Sequence, residues 1–414
     1  MDKTTNKKLI LFVDDEQKVL EALRRTLASM RNEWEMVFVT SGHEALQIMA
    51  QRQFDVIVSD MRMPVMDGAQ LLNAAKERFP SVVRFVLSGY IPTETILKTI
   101  DSADQFFSKP CDPELLKSAI KGALEAQKII ISTELRSAIS SIRALPTLPK
   151  LYIQLIETVN SPKSSFKDIA DIIRRDPTVT AKVLQLVNSA FFGLRHHVEN
   201  MQHAVTILGI DTLKAVVLTT ETFSTFSQLE IDTFHIEELY DHSFVIGALA
   251  RSMAETISKD RSLIDSVGMA GILHDIGKVI LIRNKPIEYE RVFKMQHDRN
   301  VPFYVLEKDS LGISHAEIGG YLLSVWGLPE AIIKAVLFHC EPYRLEETAC
   351  NEATLIYIAN KLYEKLNRED KGNENLNIDE KYLAKLGLTK FIPQWLELCS
   401  IRMKSAKEEE NKDR

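Results

Sequence analysis

The chain lacks the features that mark secreted, membrane-spanning and nucleic-acid-coating proteins. Its four cysteines, Cys111, Cys340, Cys350 and Cys399, lie far apart in 414 residues and form no Cys-x-x-Cys pair. Such sparse thiols fit the reduced state of a cytosolic protein, not a disulfide framework. Apolar runs reach only about five residues, against the ~20 that a bilayer-spanning helix needs. Polar Met1–Lys8 leads straight into Leu9–Val13, so no secretory signal is expected. Lys and Arg number 51 against 57 Asp and Glu, a net charge of −6 without a basic tail, which disfavours a large nucleic-acid contact. No internal repeat and no winged or helix-turn-helix pattern is recognisable. These absences point to a cytoplasmic protein with no membrane contact and no direct DNA binding.

The chain does carry a set of short apolar segments that end in reactive groups. Leu9-Ile10-Leu11-Phe12-Val13 runs into Asp14-Asp15, and Phe54-Asp55-Val56-Ile57-Val58-Ser59 into Asp60. Val86-Leu87-Ser88 ends in a hydroxyl, and Phe106-Phe107-Ser108-Lys109-Pro110 in an amine. Strand candidates are 9–14, 35–40, 54–60, 82–88 and 105–108. Between them Val19, Leu23, Leu27 and Met30 recur at helical spacing, as do Ala45, Ile48 and Met49. Alternating β and α segments predict a doubly wound, five-stranded parallel sheet whose strands are buried on both faces. Strand C-terminal ends gather at one edge of such a sheet. Three carboxylates, a hydroxyl and a lysine would meet there, a set able to hold a hard cation and accept a phosphoryl group.

From Asp112 the strand signals stop. Asp112-Pro113-Glu114 reads as a helix start, and helical spacing continues through Ile120, Leu124, Ile131, Leu135, Ile139 and Ile142 to Leu145-Pro146. A long helical linker over 112–145 is expected. A parallel coiled-coil homodimer through it is the alternative, with Gln127 and Lys128 interrupting the seam. Residues 146–365 show amphipathic helices and no convincing strand, 367–380 is polar enough for a loop or linker, and charge dominates from Lys404.

The first block resembles the receiver domain of bacterial two-component response regulators. The resemblance rests on Asp14-Asp15, Asp60 followed by Met-x-Met-Pro-x-Met-Asp-Gly, Ser88-Gly89 and Lys109-Pro110. It implies a flavodoxin-like fold over about 7–130 with Asp60 as phosphoacceptor. It also implies that Asp15 and Asp60 bind Mg²⁺ directly, Asp14 partly through water, and Arg62 through its backbone carbonyl. Lys109 would pair with the phosphoryl oxygens and Ser88 donate to one of them. The implied phosphodonor is a sensor histidine kinase. Taken alone, Asp14 and Asp15 could merely cap the following helix. Phe106 falls at the family's aromatic switch position, with core packing as the competing reading.

The second block resembles the HD-related output domain, HDOD. Leu145-Pro146-Thr147-Leu148-Pro149, Asp176-Pro177, Asn188-Ser189-Ala190-Phe191-Phe192-Gly193 and Ala204-Val205-x-x-Leu208-Gly209 match its start. Gly271-Ile272-Leu273-His274-Asp275-Ile276-Gly277-Lys278 reads like the HD signature, and His315 and Trp326-Gly327-Leu328-Pro329 fit the same family. The all-α HD-like domain is placed at 146–345, with a helical extension and charged tail at 346–414. In catalytic HD phosphohydrolases an early His, the His-Asp pair and a late Asp hold a divalent metal that activates water. Here the resemblance assigns His242, His274 and Asp275, and His315 and His339 match additional metal positions of the HD-GYP phosphodiesterases. Fe, Mn or Zn would be the cofactor. The late aspartate is replaced by Asn360, a neutral amide, and no Gly-Tyr-Pro follows His339. Two readings stay open. One is an inactive, hydrogen-bonded framework acting through contact with a downstream signalling protein. The other is a receiver-gated metal-dependent phosphohydrolase.

Overall fold

The computed structural model describes residues 7–79, 82–88, 103–109, 111, 113–129, 146, 148–161, 164–188, 198–224, 236–298, 301–345, 349–368 and 378–410. The chain divides into two compact units. One is built on Met1–Leu148 with Tyr321–Pro329, the other on Pro149–Gly320 with Glu330–Arg414.

In the first unit the strands are β1 (Lys8–Val13), β2 (Trp34–Val39), β3 (Val56–Asp60), β4 (Val83–Ser88) and β5 (Gln105–Ser108). They form one parallel sheet in the order β2-β1-β3-β4-β5. Ile10, Leu11, Phe12, Val56, Ile57, Phe85 and Val86 are buried on it, as expected of strands covered on both faces. The helices are α1 (Gln17–Thr26), α2 (Gly42–Gln51), α3 (Gly68–Arg78) and α4 (Pro113–Ile129). The spacing that ran to Met30 ends sooner. Helix α1 stops at Thr26, and a 3-10 turn at Ala28–Met30 carries Met30 into the core, satisfying the same apolar periodicity with a tighter winding. The linker is helical to Ile129, and the remainder of the predicted helix, 130–145, lies outside the described residues, as do Gly89 and Pro110.

The second unit carries helices joined by turns, and no strand, among its described residues. It runs α5 (Lys150–Asn160), α6 (Phe166–Ile173), α7 (Pro177–Asn188), α8 (Met201–Leu208), α9 (Ile210–Ser224), α10 (Ile236–Ile257), α11 (Arg261–Leu273), α12 (Ile276–Asn284), α13 (Pro286–Asp298), α14 (Phe303–Leu311), α15 (His315–Val325), α16 (Glu330–Phe338), α17 (Glu352–Arg368), α18 (Glu380–Lys385) and α19 (Ile392–Glu410). Helices α10, α11 and α17 pack on one another and form the scaffold of the core. The charged stretch from Lys404 continues α19 as helix to Glu410. Most of the predicted 367–380 loop, and residues 189–193, lie outside the described residues.

Two glycines allow close backbone approaches that seat functional side chains. A Cβ on Gly68 would run into the Asp60 carbonyl, and Gly68 N–H donates to the Met61 carbonyl at 2.9 Å. A Cβ on Gly277 would run into the His315 carbonyl, with Gly319 N 2.8 Å away. Helix propensity alone favours Ala over Gly by about 1 kcal/mol. Gly277→Ala should nevertheless destabilise the chain, by about 1–3 kcal/mol as overpacking does, because backbone atoms cannot rotate aside. Urea denaturation of the variant checks this, and an unchanged or raised midpoint would contradict the packing.

Candidate functional sites

The first site lies at the carboxyl edge of the sheet. Asp14 follows β1, Asp60 ends β3 and Lys109 follows β5, so parallel strand direction brings three side chains of distant sequence position together. Lys109 Nζ donates to Asp14 Oδ2 at 2.6 Å and also to Asp60 Oδ1. Backbone N–H groups hold the other carboxylate oxygens: Glu16 N donates to Asp14 Oδ1 at 3.0 Å, and Arg62 N to Asp60 Oδ2 at 2.6 Å. Burial lifts Asp14 above the usual carboxylate range, against the pull of Lys109 and the Glu16 N–H. For Lys109 burial acts downward, but its bonds to Asp14 and Asp60 outweigh it and raise the amine. Asp15 is exposed beside this pair. Ser88 closes β4, and its side chain, like that of Phe106, lies outside the described groups.

The loop after Asp60 ends in a capping box. Asp67 accepts from Gln70 N at 2.8 Å while the Gln70 side chain accepts from Asp67 N at 3.1 Å. Within it Val65, 92% exposed, takes φ +69°, a left-handed conformation costly for a β-branched residue.

The second site is buried in the helical unit and centres on Asp275. This residue stands at the N-cap of α12 but makes no capping bond. That forgoes about 1 kcal/mol, and the carboxylate turns to other partners. Lys278 Nζ donates to Asp275 Oδ2 at 2.6 Å. His274 Nε2 lies 3.3 Å and His242 Nε2 3.6 Å from the same oxygen. His315 Nε2 is 3.4 Å and His339 Nε2 3.9 Å from Oδ1. The structure thus brings His242, His274, His315 and His339 around one carboxylate. Asn360, on α17, hydrogen-bonds His242.

Each inner ring is aimed by its outer nitrogen. His274 Nδ1 donates to the Gly271 carbonyl and His339 Nδ1 to the Val336 carbonyl, each at 2.7 Å. His315 Nδ1 pairs with Glu307 Oε2, which also accepts from His315 N at 2.9 Å, while Glu307 Oε1 accepts from the Tyr289 hydroxyl at 2.8 Å. Glu307 is completely buried. Burial pushes His315 down, but the Glu307 carboxylate and the neighbouring Cys340 lift it to about 10. Burial holds His242 down at about 3 despite Asp275, and holds His339 well below the usual range with His274 and His315 adding to it. Burial opposes ionisation of Asp275 too, but His274 and Lys278 outweigh it and keep the carboxylate well below its usual range.

Comparison with known proteins matches two stretches of the chain to two families. Residues 10–121 match the response regulator receiver domain and residues 145–342 the HDOD domain. The chain is a receiver domain joined to an HDOD domain. This pairing supports a response regulator, and a receiver domain implies a phosphodonor such as a histidine kinase. The chain is 27% identical over 209 residues to an uncharacterized protein of Treponema pallidum, covering 50% of this chain and 40% of that one. It is 38% identical over 120 residues to the hydrogenase transcriptional regulatory protein HoxA of Cupriavidus necator, covering 28% of this chain and 24% of that one. It therefore spans less than half the length of either relative. An HDOD domain protein from Geobacter sulfurreducens shares the fold at a TM-score of 0.52 and 24% identity, over 66% of this chain and 96% of that one. Among the described residues no single helix is long and apolar enough to cross a membrane.

Sequence reasoning did not assign Glu307, Tyr289, Lys278 or Cys340 to the HDOD site. Lys278 had a signal, since it lies one turn after Asp275 on the same helix. Glu307 had none, because an isolated Glu on a helix usually faces solvent. Its removal should be severe. Glu307→Ala leaves the Tyr289 hydroxyl and the His315 imidazole without their acceptor, an expected loss of about 3–5 kcal/mol, as for breaking a buried charge pair. Glu307→Gln should recover part of it. Chemical denaturation of both variants measures the difference, and equal, small effects would show that the carboxylate does not hold His315.

Proposed function

We propose that this chain is a cytoplasmic two-component response regulator. In this reading the receiver takes a phosphoryl group on Asp60 from a sensor histidine kinase, and the HDOD domain relays the state by protein–protein contact. The observation that carries it is the Lys109 amine set between Asp14 and Asp60 at the sheet edge.

The donor set there is oxygen throughout, as a hard cation requires. Asp14, Asp15, Asp60 and the Arg62 backbone carbonyl would hold Mg²⁺, which would screen the charge between the carboxylate and an anionic donor. An Asp60 carboxylate oxygen attacks phosphorus, forming an acyl phosphate as the bond from phosphorus to the kinase imidazole breaks. Lys109 then exchanges the Asp60 carboxylate for the phosphoryl oxygens, with the Ser88 hydroxyl donating to one of them. The new group brings about −1.5 to −2 charges and three strong acceptors. Couplings of this kind amount to about 1–3 kcal/mol, whereas moving a two-state equilibrium from 1:99 to 99:1 takes ~5.5 kcal/mol. Phosphorylation therefore tilts an association that already exists, either with a signalling partner or as a homodimer.

A non-hydrolytic HDOD domain is supported by the Lys278 ammonium on Asp275 Oδ2 and by the Asn360 amide at His242. The enzymatic alternative, a receiver-gated metal-dependent phosphohydrolase, draws on the four histidines around Asp275.

Acetyl phosphate with Mg²⁺ should label the wild-type chain, and Asp60→Asn should abolish labelling. Labelling that persists in Asp60→Asn would refute the assignment. Beryllofluoride, as a phosphoryl mimic, should shift the sedimentation or scattering profile of the wild type alone. Identical profiles with Asp60 shown to be occupied would remove the relay. Hydrolysis of nucleotides or cyclic dinucleotides that is lost in Asp275→Ala would transfer the output to the enzyme class.

A further inference from the structure

Residues 321–329 stand apart from the helices around them in sequence. They fall inside the stretch that matches the HDOD family, yet the first compact unit includes them, its boundary cutting α15 between Gly320 and Tyr321. Within that unit they make polar contacts to β5, to α4 and to Pro146. Gln105, the first residue of β5, donates through Nε2 to the Val325 carbonyl at 2.7 Å. Ser324 Oγ donates to the Gly122 carbonyl of α4 at 3.2 Å, and Trp326 Nε1 to the Pro146 carbonyl at 3.3 Å.

We propose that Tyr321–Pro329 is a clasp, held by the receiver while Lys109 is bound to Asp14 and Asp60 and loosened by a phosphoryl group on Asp60. The proposal rests on the reading of Asp60 as phosphoacceptor. It names the first element to which the receiver reports, a segment of its own chain.

The contact is specific and has no slack. Gln105, Ser324, Val325 and Trp326 are all buried, so their bonds are made out of water, where an amide left without a partner is costly. Gly327 follows α15 at φ +73°, and a Cβ there would stand 2.6 Å from Gln105 Nε2. Glycine meets both demands, the left-handed conformation and the missing side chain. Tyr321 lies within electrostatic reach of the buried ion pair in which Arg84 Nη2 donates to Asp104 Oδ1 at 2.6 Å. Burial, joined by Asp104 and opposed by Arg84, raises the Tyr321 hydroxyl to about 12.

Strand β5 joins this contact to the reactive edge. Gln105 opens the strand, and Lys109 follows its last residue, Ser108. It is an edge strand, paired with β4 on one side, and so is restrained less than the strands inside the sheet. An extended strand already spans about 3.3 Å per residue and cannot stretch, so a pull on Lys109 reaches Gln105. Hydrogen bonds weaken steeply once distance and angle leave their narrow range. A phosphoryl group that draws Lys109 off Asp60 therefore acts against the Gln105–Val325 bond at the other end of the strand. The segment continues α15, which begins at His315, so its release changes the restraint on a helix that also carries one of the buried histidines.

Hydrogen exchange of the full-length protein, read by mass spectrometry over 321–329, is the test, with ¹⁹F NMR reporting bound beryllofluoride. With Mg²⁺ and beryllofluoride, exchange there should quicken about fivefold or more in wild type and stay unchanged in Asp60→Asn. Gln105→Leu and Ser324→Ala, which break the contact from opposite sides, should quicken it without beryllofluoride. Coupling is reciprocal, so both variants should also bind beryllofluoride more tightly, by about two- to tenfold for each hydrogen bond lost. Ser324→Ala removes a single oxygen and keeps the test open if the Gln105 variant folds poorly. Bound beryllofluoride with exchange over 321–329 unchanged or slowed would overturn the proposal while leaving Asp60 as acceptor. So would variants that bind beryllofluoride no better than wild type. Failure of wild type to bind beryllofluoride would instead overturn the Asp60 reading, and the trigger with it.

Discussion

Carboxylates withdrawn from water must be matched by positive charge at close range, and both functional regions of this chain are organised by that requirement. At the sheet edge, Asp14 and Asp60 lie almost wholly out of solvent and one lysine joins them. In the helical domain Asp275 and Glu307 are buried, and Lys278 and His315 meet them. Breaking such a pair strands the remaining charge, which costs far more than the pair itself contributes. Each site is therefore rigid with respect to loss of a partner, and responsive to a change in the charge it holds.

The two domains reach this condition by different geometry. A parallel sheet assembles its groups at strand ends, where direction alone makes distant residues neighbours. Asp14, Asp60 and Lys109 need only sit at the right end of a buried strand. The helical domain has no such edge. Its groups come from α10, the α11–α12 junction, α14, α15 and the turn after α16, and they meet because α12 and α15 approach backbone to backbone at Gly277. Where a side chain at that point would hold the helices apart, a hydrogen atom does not.

Responsiveness has the same origin. Lys109 is shared between two carboxylates, so any anionic group placed at this edge would compete directly for an amine already in place. In the HDOD domain the outer nitrogens of His274, His315 and His339 are committed to Gly271, Glu307 and Val336, which fixes the rings with Nε2 inward.

How much of this could be read from the residues follows from the range of each determinant. Short apolar runs punctuated by helical spacing specify strand, helix and sheet order locally, and Asp14-Asp15, Asp60 and Lys109 follow from strand direction without any tertiary detail. The HD pair and its accompanying histidines were visible as motif residues. Met30 shows the limit within one element, since the same burial is met by a 3-10 turn. The sequence by itself therefore determined the two-domain architecture, the carboxylate–lysine edge of the sheet and the identity of the histidine set. Only the tertiary structure decided that Asp275 divides that set between its two oxygens, that Lys278 takes one side, and that Glu307 and Cys340 join the other. Those pairings depend on helix crossings between residues far apart in the chain, and a close approach of two backbones leaves no periodic mark in either sequence.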